Sequence, residues 1–191
     1  WRDLVDTYFL RDEEAVKIFD SARMRKPIKI KRLDRDDADY YLIPFDRVDT
    51  HKGFLTTAVI ILDAKNGYFK EASWTLNPEK LIPVSKVDAL RCIRHYIMRQ
   101  MCVDIRKEKK KENRVIIQAK YQLFLQSIQR RDVVSELVWE PQGVSGTPYK
   151  PYWHVDVNGY EWYVTQDKKV IPLFDFLNAL KDSESNVFQI N

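Results

Sequence analysis

Three histidines, His51, His95 and His154, and two cysteines, Cys92 and Cys102, carry the metal-ligating and nucleophilic chemistry of this chain. None of them stands in a His-Glu-x-x-His or Cys-x-x-Cys setting, so spacing gives no zinc site. A Cys–His nucleophilic pair needs a thiol activated by a nearby base, and no local pattern brings one together. Cys92 and Cys102 fall in one expected helix, where ten residues put them about 15 Å apart along the axis. A disulfide needs Cα atoms within about 7 Å, so both are expected as reduced thiols. Glu136 and Glu140 share a face of an extended strand, a spacing that paired glycosidase carboxylates can use. On a half-exposed strand the same pair is the solvent face. With five glycines in 191 residues, no Gly-rich phosphate loop can be written. The reading is therefore of a non-enzymatic protein with no cofactor and no metal.

The residues that point to binding are aromatic. Trp139, Tyr149, Tyr152 and Trp153 are interleaved with Pro141, Pro148 and Pro151. Tyrosine and tryptophan combine large apolar area with a hydrogen-bonding tip and are enriched at interfaces. The loop from Pro141 to Tyr152 is the expected binding surface, with Tyr149 its most exposed ring. The competing reading has these rings filling the core, the usual fate of strand aromatics.

Hairpins are the elements that would hold such residues. Ala58 to Asp63 is an apolar, β-branched run, and Asn66-Gly67 supplies the reversal into an alternating strand through Trp74. Ile28–Leu33 and Asp39–Phe45 complete a four-stranded antiparallel meander, with Pro44 marking an edge or bulge and Arg47–Gly53 a loop. Trp1, Leu4, Val5, Tyr8 and Phe9 have helical spacing, and a second helical piece runs from an Asp12 cap to about Met24, stopped by Pro27. Leu76–Val84 is a Pro-punctuated connection. Ser85 with Asp88 resembles a capping box opening a helix to about Val103. Residues 115–130 satisfy both helical and strand periods, and their length and Gln/Lys/Arg content favour helix. Val133–Trp139 is a strand, and Tyr152–Val157 and Tyr160–Thr165 form a hairpin about Asn158-Gly159. A weaker copy of the first hairpin runs from Trp162 to Ile171, and Pro172 opens a last helix.

The net charge is +4, and the run Arg106–Arg114 alone, with six basic and two acidic residues, accounts for it. A DNA-binding surface needs a basic stripe across the fold, so a nucleic-acid partner is disfavoured. A lesser reading makes this run a contact for an anionic polymer or membrane surface. No run of 18 apolar residues is present, so no transmembrane segment is expected. The start at Trp1 rather than Met points to processing or to a trimmed chain.

The aliphatic strand Ile61-Leu-Asp63-Ala64-Lys-Asn-Gly67, the helix opening Ser85-Lys-Val-Asp-Ala-Leu and the strand pair around Tyr152–Val157 resemble PepSY-type domains, whose strand signature ends in Asp-Ala-x-x-Gly. Thr165-Gln-Asp167-Lys-Lys169 departs from it by lacking the glycine. The resemblance implies an α+β fold of antiparallel sheets, each packed by a helix in a cystatin-like manner, and duplicated. It divides the chain into an N-terminal helical segment (1–27), a first sheet unit (28–84) and a second unit with leading and C-terminal helices (85–191). It also implies a bacterial, extracytoplasmic module that binds a protein or peptide partner or restrains a peptidase. The alternative is a small-ligand-binding protein or enzyme with a pocket between the sheet and helix 85–103, toward which His95 or His154 would point.

Overall fold

The computed structural model describes residues 12–128, 133–141, 143–157 and 159–173. The expected N-terminal stripe Trp1–Phe9 lies outside them, as does the last helix beyond Leu173. The described residues form an α+β protein with mostly antiparallel strands and three helices. They group into two compact units. The first holds the residues up to Pro83 together with Leu137–Pro151, and the second holds Val84–Glu136 and the residues from Tyr152 on. The sequence reading divides the chain at 27 and 84, with no return of residues 137–151 to the earlier part.

In the first unit α1 (Glu13–Ser21) starts where the Asp12 carboxylate accepts from the backbone N–H of Glu14, at 3.1 Å, and of Ala15, at 3.0 Å. Glu13 and Glu14 place negative charge at the positive end of the helix. The expected continuation to Met24 does not occur. Ala22 is already extended, and β1 (Arg23–Met24) pairs antiparallel with β3 (Tyr40–Asp49). Pairing supplies partners for backbone groups that a helix running into Pro27 would leave unsatisfied.

The meander is present as β2 (Ile28–Arg32), β3, β4 (Gly53–Asp63) and β5 (Phe69–Glu79), in the order β5-β4-β3-β2. Two elements are longer than expected. β3 runs through the proposed loop to Asp49, because the Asp49 carboxylate binds the N–H of His51 and Lys52 and Gly53 takes φ 78°. β5 continues across Asn77-Pro78 to Glu79, pairing Glu79 with Thr56. β2 does not end the sheet. Lys31 and Arg32 pair in parallel with Val138 and Trp139 at the end of β6 (Val134–Trp139).

Period-two alternation gives this sheet two apolar faces. On one, Phe45, Ala58 and Ile60 pack with Ile18 and Phe19 of α1, the Phe19 and Phe45 rings meeting edge-on at 4.8 Å. On the other, Ile30, Tyr40, Leu42, Val59 and Ile61 gather Leu81, Leu137, Trp139 and Tyr149.

In the second unit α2 (Lys86–Lys107) opens with the capping box: Ser85 Oγ accepts from the Asp88 N–H, and the Asp88 carboxylate accepts from the Ser85 N–H. Ala89, Ile93 and Ile97 form its buried stripe. Residues 111–127 are α3 (Lys111–Ser127), whose Tyr121, Phe124 and Leu125 are buried. β7 (Tyr152–Val157), β8 (Tyr160–Val164) and β9 (Val170–Pro172) form an antiparallel run. Pro172 therefore ends a strand. The helices and strands share one core, in which Trp162 is fully buried with its ring centroid 5.5 Å from that of Phe124.

The β8–β9 turn shows how the second hairpin copes without a glycine. Gly67 after β4 has φ 73°, and Lys168 takes the same left-handed region at φ 68°. A side chain there costs about 1 kcal/mol relative to glycine. Lys168→Gly is expected to raise stability by about 0.5–1 kcal/mol, read as a higher urea midpoint with unchanged slope. Between α2 and α3, the Tyr121 hydroxyl donates to the Asp104 carboxylate. Burial, and then the adjacent carboxylate, push the Tyr121 phenol up. A raised phenol contributes stability that is complete below the free value of about 10 and is lost as pH rises above it. Tyr121→Phe should cost about 1 kcal/mol at neutral pH and flatten the alkaline loss of helical circular dichroism.

Candidate functional site

The residues singled out from sequence fall in different surroundings. Trp139 and Tyr149 belong to the first unit. Trp139 is half-buried, its ring meets Tyr40 edge-on at 6.1 Å, and the Arg32 guanidinium lies 5.1 Å from its centroid. Its Nε1–H donates to the Ser145 carbonyl at 3.2 Å. Tyr149, expected to be the most exposed ring, is half-buried in the same cluster. Burial and the Glu71 carboxylate push its phenol up. The Tyr40 hydroxyl donates to the Pro148 carbonyl at 2.8 Å, which pins the loop carrying Tyr149.

Tyr152 and Trp153 belong to the second unit. Tyr152 is fully buried, with its ring 4.9 Å from that of Tyr163. Trp153 is half-buried, and its Nε1–H donates to the Val84 carbonyl at 2.8 Å. In this unit His154 lies between two carboxylates, with Nδ1 3.6 Å from Glu136 and Nε2 3.2 Å from Glu161. His95 is exposed on α2, and the space between α2 and the strands is occupied by Ile93, Ile97, Val155 and Trp162. His51 is exposed in the β3–β4 turn, and Glu140 follows β6 in the first unit. Cys92 and Cys102 are free thiols, Cys102 exposed and Cys92 half-buried with its thiol pushed up by burial. Among the described residues no group of three His, Cys, Asp or Glu side chains could hold a metal ion.

A concave surface of the first unit lies elsewhere among the described residues. A cleft of about 540 Å³ is lined by Met24, Arg25, Lys26 and Ile28 from the β1–β2 segment, and by Pro44 and Asp46 of β3. Phe54 and Thr56 of β4 and Lys80, Leu81 and Ile82 after β5 close it. Ile28 and Leu81 also belong to the cluster of Tyr40 and Leu42, so the cleft continues the sheet face that this cluster fills.

One irregularity opens it. Phe45 pairs with Ala58 but Asp46 pairs with Thr56, so Thr57 is an extra residue in β4. Opposed residues of an antiparallel pair share a face, so Val59 and Ile61 lie with Pro44 and Leu42. Beyond the extra residue the alternation of β4 inverts, and Thr56 and Phe54 come to the same face as Val59. Without it they would point toward α1. The Thr57 hydroxyl donates to the Phe45 carbonyl at 3.1 Å, giving the interrupted ladder a partner.

The electrostatics of the cleft are lopsided. Arg25, Lys26 and Lys80 face a single lining carboxylate, Asp46. Asp46 accepts from the Thr56 hydroxyl at 2.7 Å and lies 3.7 Å from the Arg25 guanidinium. Arg25 also stacks over Phe54, 4.1 Å from its centroid, an arrangement that holds a cation beside an exposed ring. The sequence pattern hides this site because helical spacing extends to Met24, whereas Arg23 and Met24 are strand. The available signal was the basic run Arg23-Met-Arg-Lys26 directly before Pro27.

No protein-family model matches the chain, and no curated protein or solved structure matches it. No helix among the described residues is long and apolar enough to cross a membrane.

Thr57→Val keeps the volume and β-branching but removes the hydroxyl from a buried carbonyl. It should lower stability by about 1–2 kcal/mol, measured by urea unfolding, with the loss confined to the first unit in hydrogen exchange.

Proposed function

We propose that the chain is a non-enzymatic binding module whose first unit takes an extended, acidic segment of a protein or peptide partner. The observation that carries this reading is the cleft with Arg25, Lys26 and Lys80 around Phe54 and Met24, against one carboxylate. Cations at the rim favour acidic side chains, and the exposed apolar floor rewards an aliphatic or aromatic residue between them. β1 pairs with β3 and, among the described residues, with no other strand, so its outer edge can accept an added strand.

The chain is a PepSY-like protein of two degenerate, cystatin-like copies, acting outside the cytoplasm and restraining a peptidase or holding another protein partner. Its support is the Ile61–Gly67 strand and turn, together with Lys168 in the left-handed position where the second hairpin lacks glycine.

The test is a positional-scanning peptide array probed with the full chain. Retained peptides should select Asp or Glu flanking an apolar residue. Lys26→Glu with Lys80→Glu should weaken their binding about tenfold, which corresponds to about 1.4 kcal/mol. Both lysines are exposed, so folding should be unchanged. Selection of basic peptides, or binding indifferent to the double reversal, would remove the cleft as the binding site.

A further inference from the structure

The basic run of the sequence forms the tip of a helical hairpin in the second unit. Arg106 and Lys107 end α2, Lys109 and Lys110 lie in the link, and Lys111 and Arg114 open α3. All six are exposed. The acidic groups beside them are partly engaged. The Glu108 carboxylate accepts from the Lys110 N–H at 2.8 Å, and Asp104 accepts from the Tyr121 hydroxyl, while Glu112 stands free in the first turn of α3. The tip therefore has a clear excess of positive charge.

Charge alone describes a solvated helix end. The second observation is apolar. Val103 lies one turn before the end of α2, and Val115 and Ile116 lie one turn into α3. Their exposures are 40%, 63% and 50%. Aliphatic side chains so exposed, each within about one turn of the cations along its helix, are unfavourable in water. A phosphodiester polymer satisfies the cations and offers the aliphatics nothing. A bilayer surface satisfies both at once when the hairpin end lies along it, with anionic headgroups at the lysines and arginines and the acyl boundary at the aliphatics.

We infer that this end of the hairpin lies along an anionic phospholipid surface, with Arg106 to Arg114 at the headgroups and Val103, Val115 and Ile116 entering the interface. The contact is peripheral and reversible. It is separate from the cleft, which lies in the other unit.

The test is sedimentation of the full chain with phosphatidylcholine vesicles, with and without about a quarter phosphatidylglycerol, at low and physiological salt. Wild type should bind the anionic vesicles and leave the neutral ones, and binding should fall with salt. Lys109→Glu with Lys111→Glu should reduce the bound fraction about tenfold, and Val115→Ser with Ile116→Ser about fivefold. These positions are exposed, and unchanged circular dichroism would verify the fold. Absence of binding to anionic vesicles, or equal binding to neutral ones, overturns the inference. So does a serine variant that binds as wild type, because the site would then be a contact for any polyanion.

Discussion

One extra residue in β4 sets the character of the first unit. A strand has a period of two, so every residue after an insertion changes face. Thr57 makes that change in the middle of the longest strand pair, between Ala58, which faces α1, and Thr56, which faces the other way. Regular alternation shares the apolar run Ala58–Ile61 between two cores, and the insertion brings Phe54 and Thr56 to line a cleft. The hydroxyl of Thr57 is suited to the place, since a buried carbonyl freed by a bulge needs a donor.

The rest of the cleft follows from that inversion. With Thr56 on the open face, its hydroxyl can reach Asp46, and Asp46 in turn holds Arg25 near Phe54. Arg25 is available because β1 follows α1 after a single extended residue and lies along β3. The polar groups of the site are fixed by backbone pairing, whereas Lys26 and Lys80 remain exposed. This combination suits a partner that supplies its own negative charge.

The second unit solves a different problem. α2 and α3 cover one face of its short strands, around Trp162 and Phe124, while Tyr152 is buried beside Tyr163 on the other. The helices are held in register by apolar contact and by the Tyr121–Asp104 hydrogen bond, a polar link at the margin of the core. Packing consumes Ile93, Ile97, Tyr121 and Phe124 and leaves Val103, Val115 and Ile116 outside, where the hairpin tip carries its charge.

The sequence by itself determined the elements whose causes are local. The capping box at Ser85, the Asp12 cap, the four meander strands, the Gly67 and Gly159 turns and the helical thiols are each decided by residues within a few positions of one another. The helix over 111–127 was legible only weakly, since its apolar spacing fits both periods and tertiary burial of Tyr121 and Phe124 favours one of them. What the tertiary structure decided was non-local. The end of α1 at Ser21, the parallel pairing of β2 with Trp139 and the surroundings of Trp139, Tyr149, Tyr152 and Trp153 depend on segments distant in the chain. The cleft belongs to this second group. Pro44 marks an edge or bulge in its neighbourhood, but which residue of the facing strand is the extra one depends on how two strands stay paired.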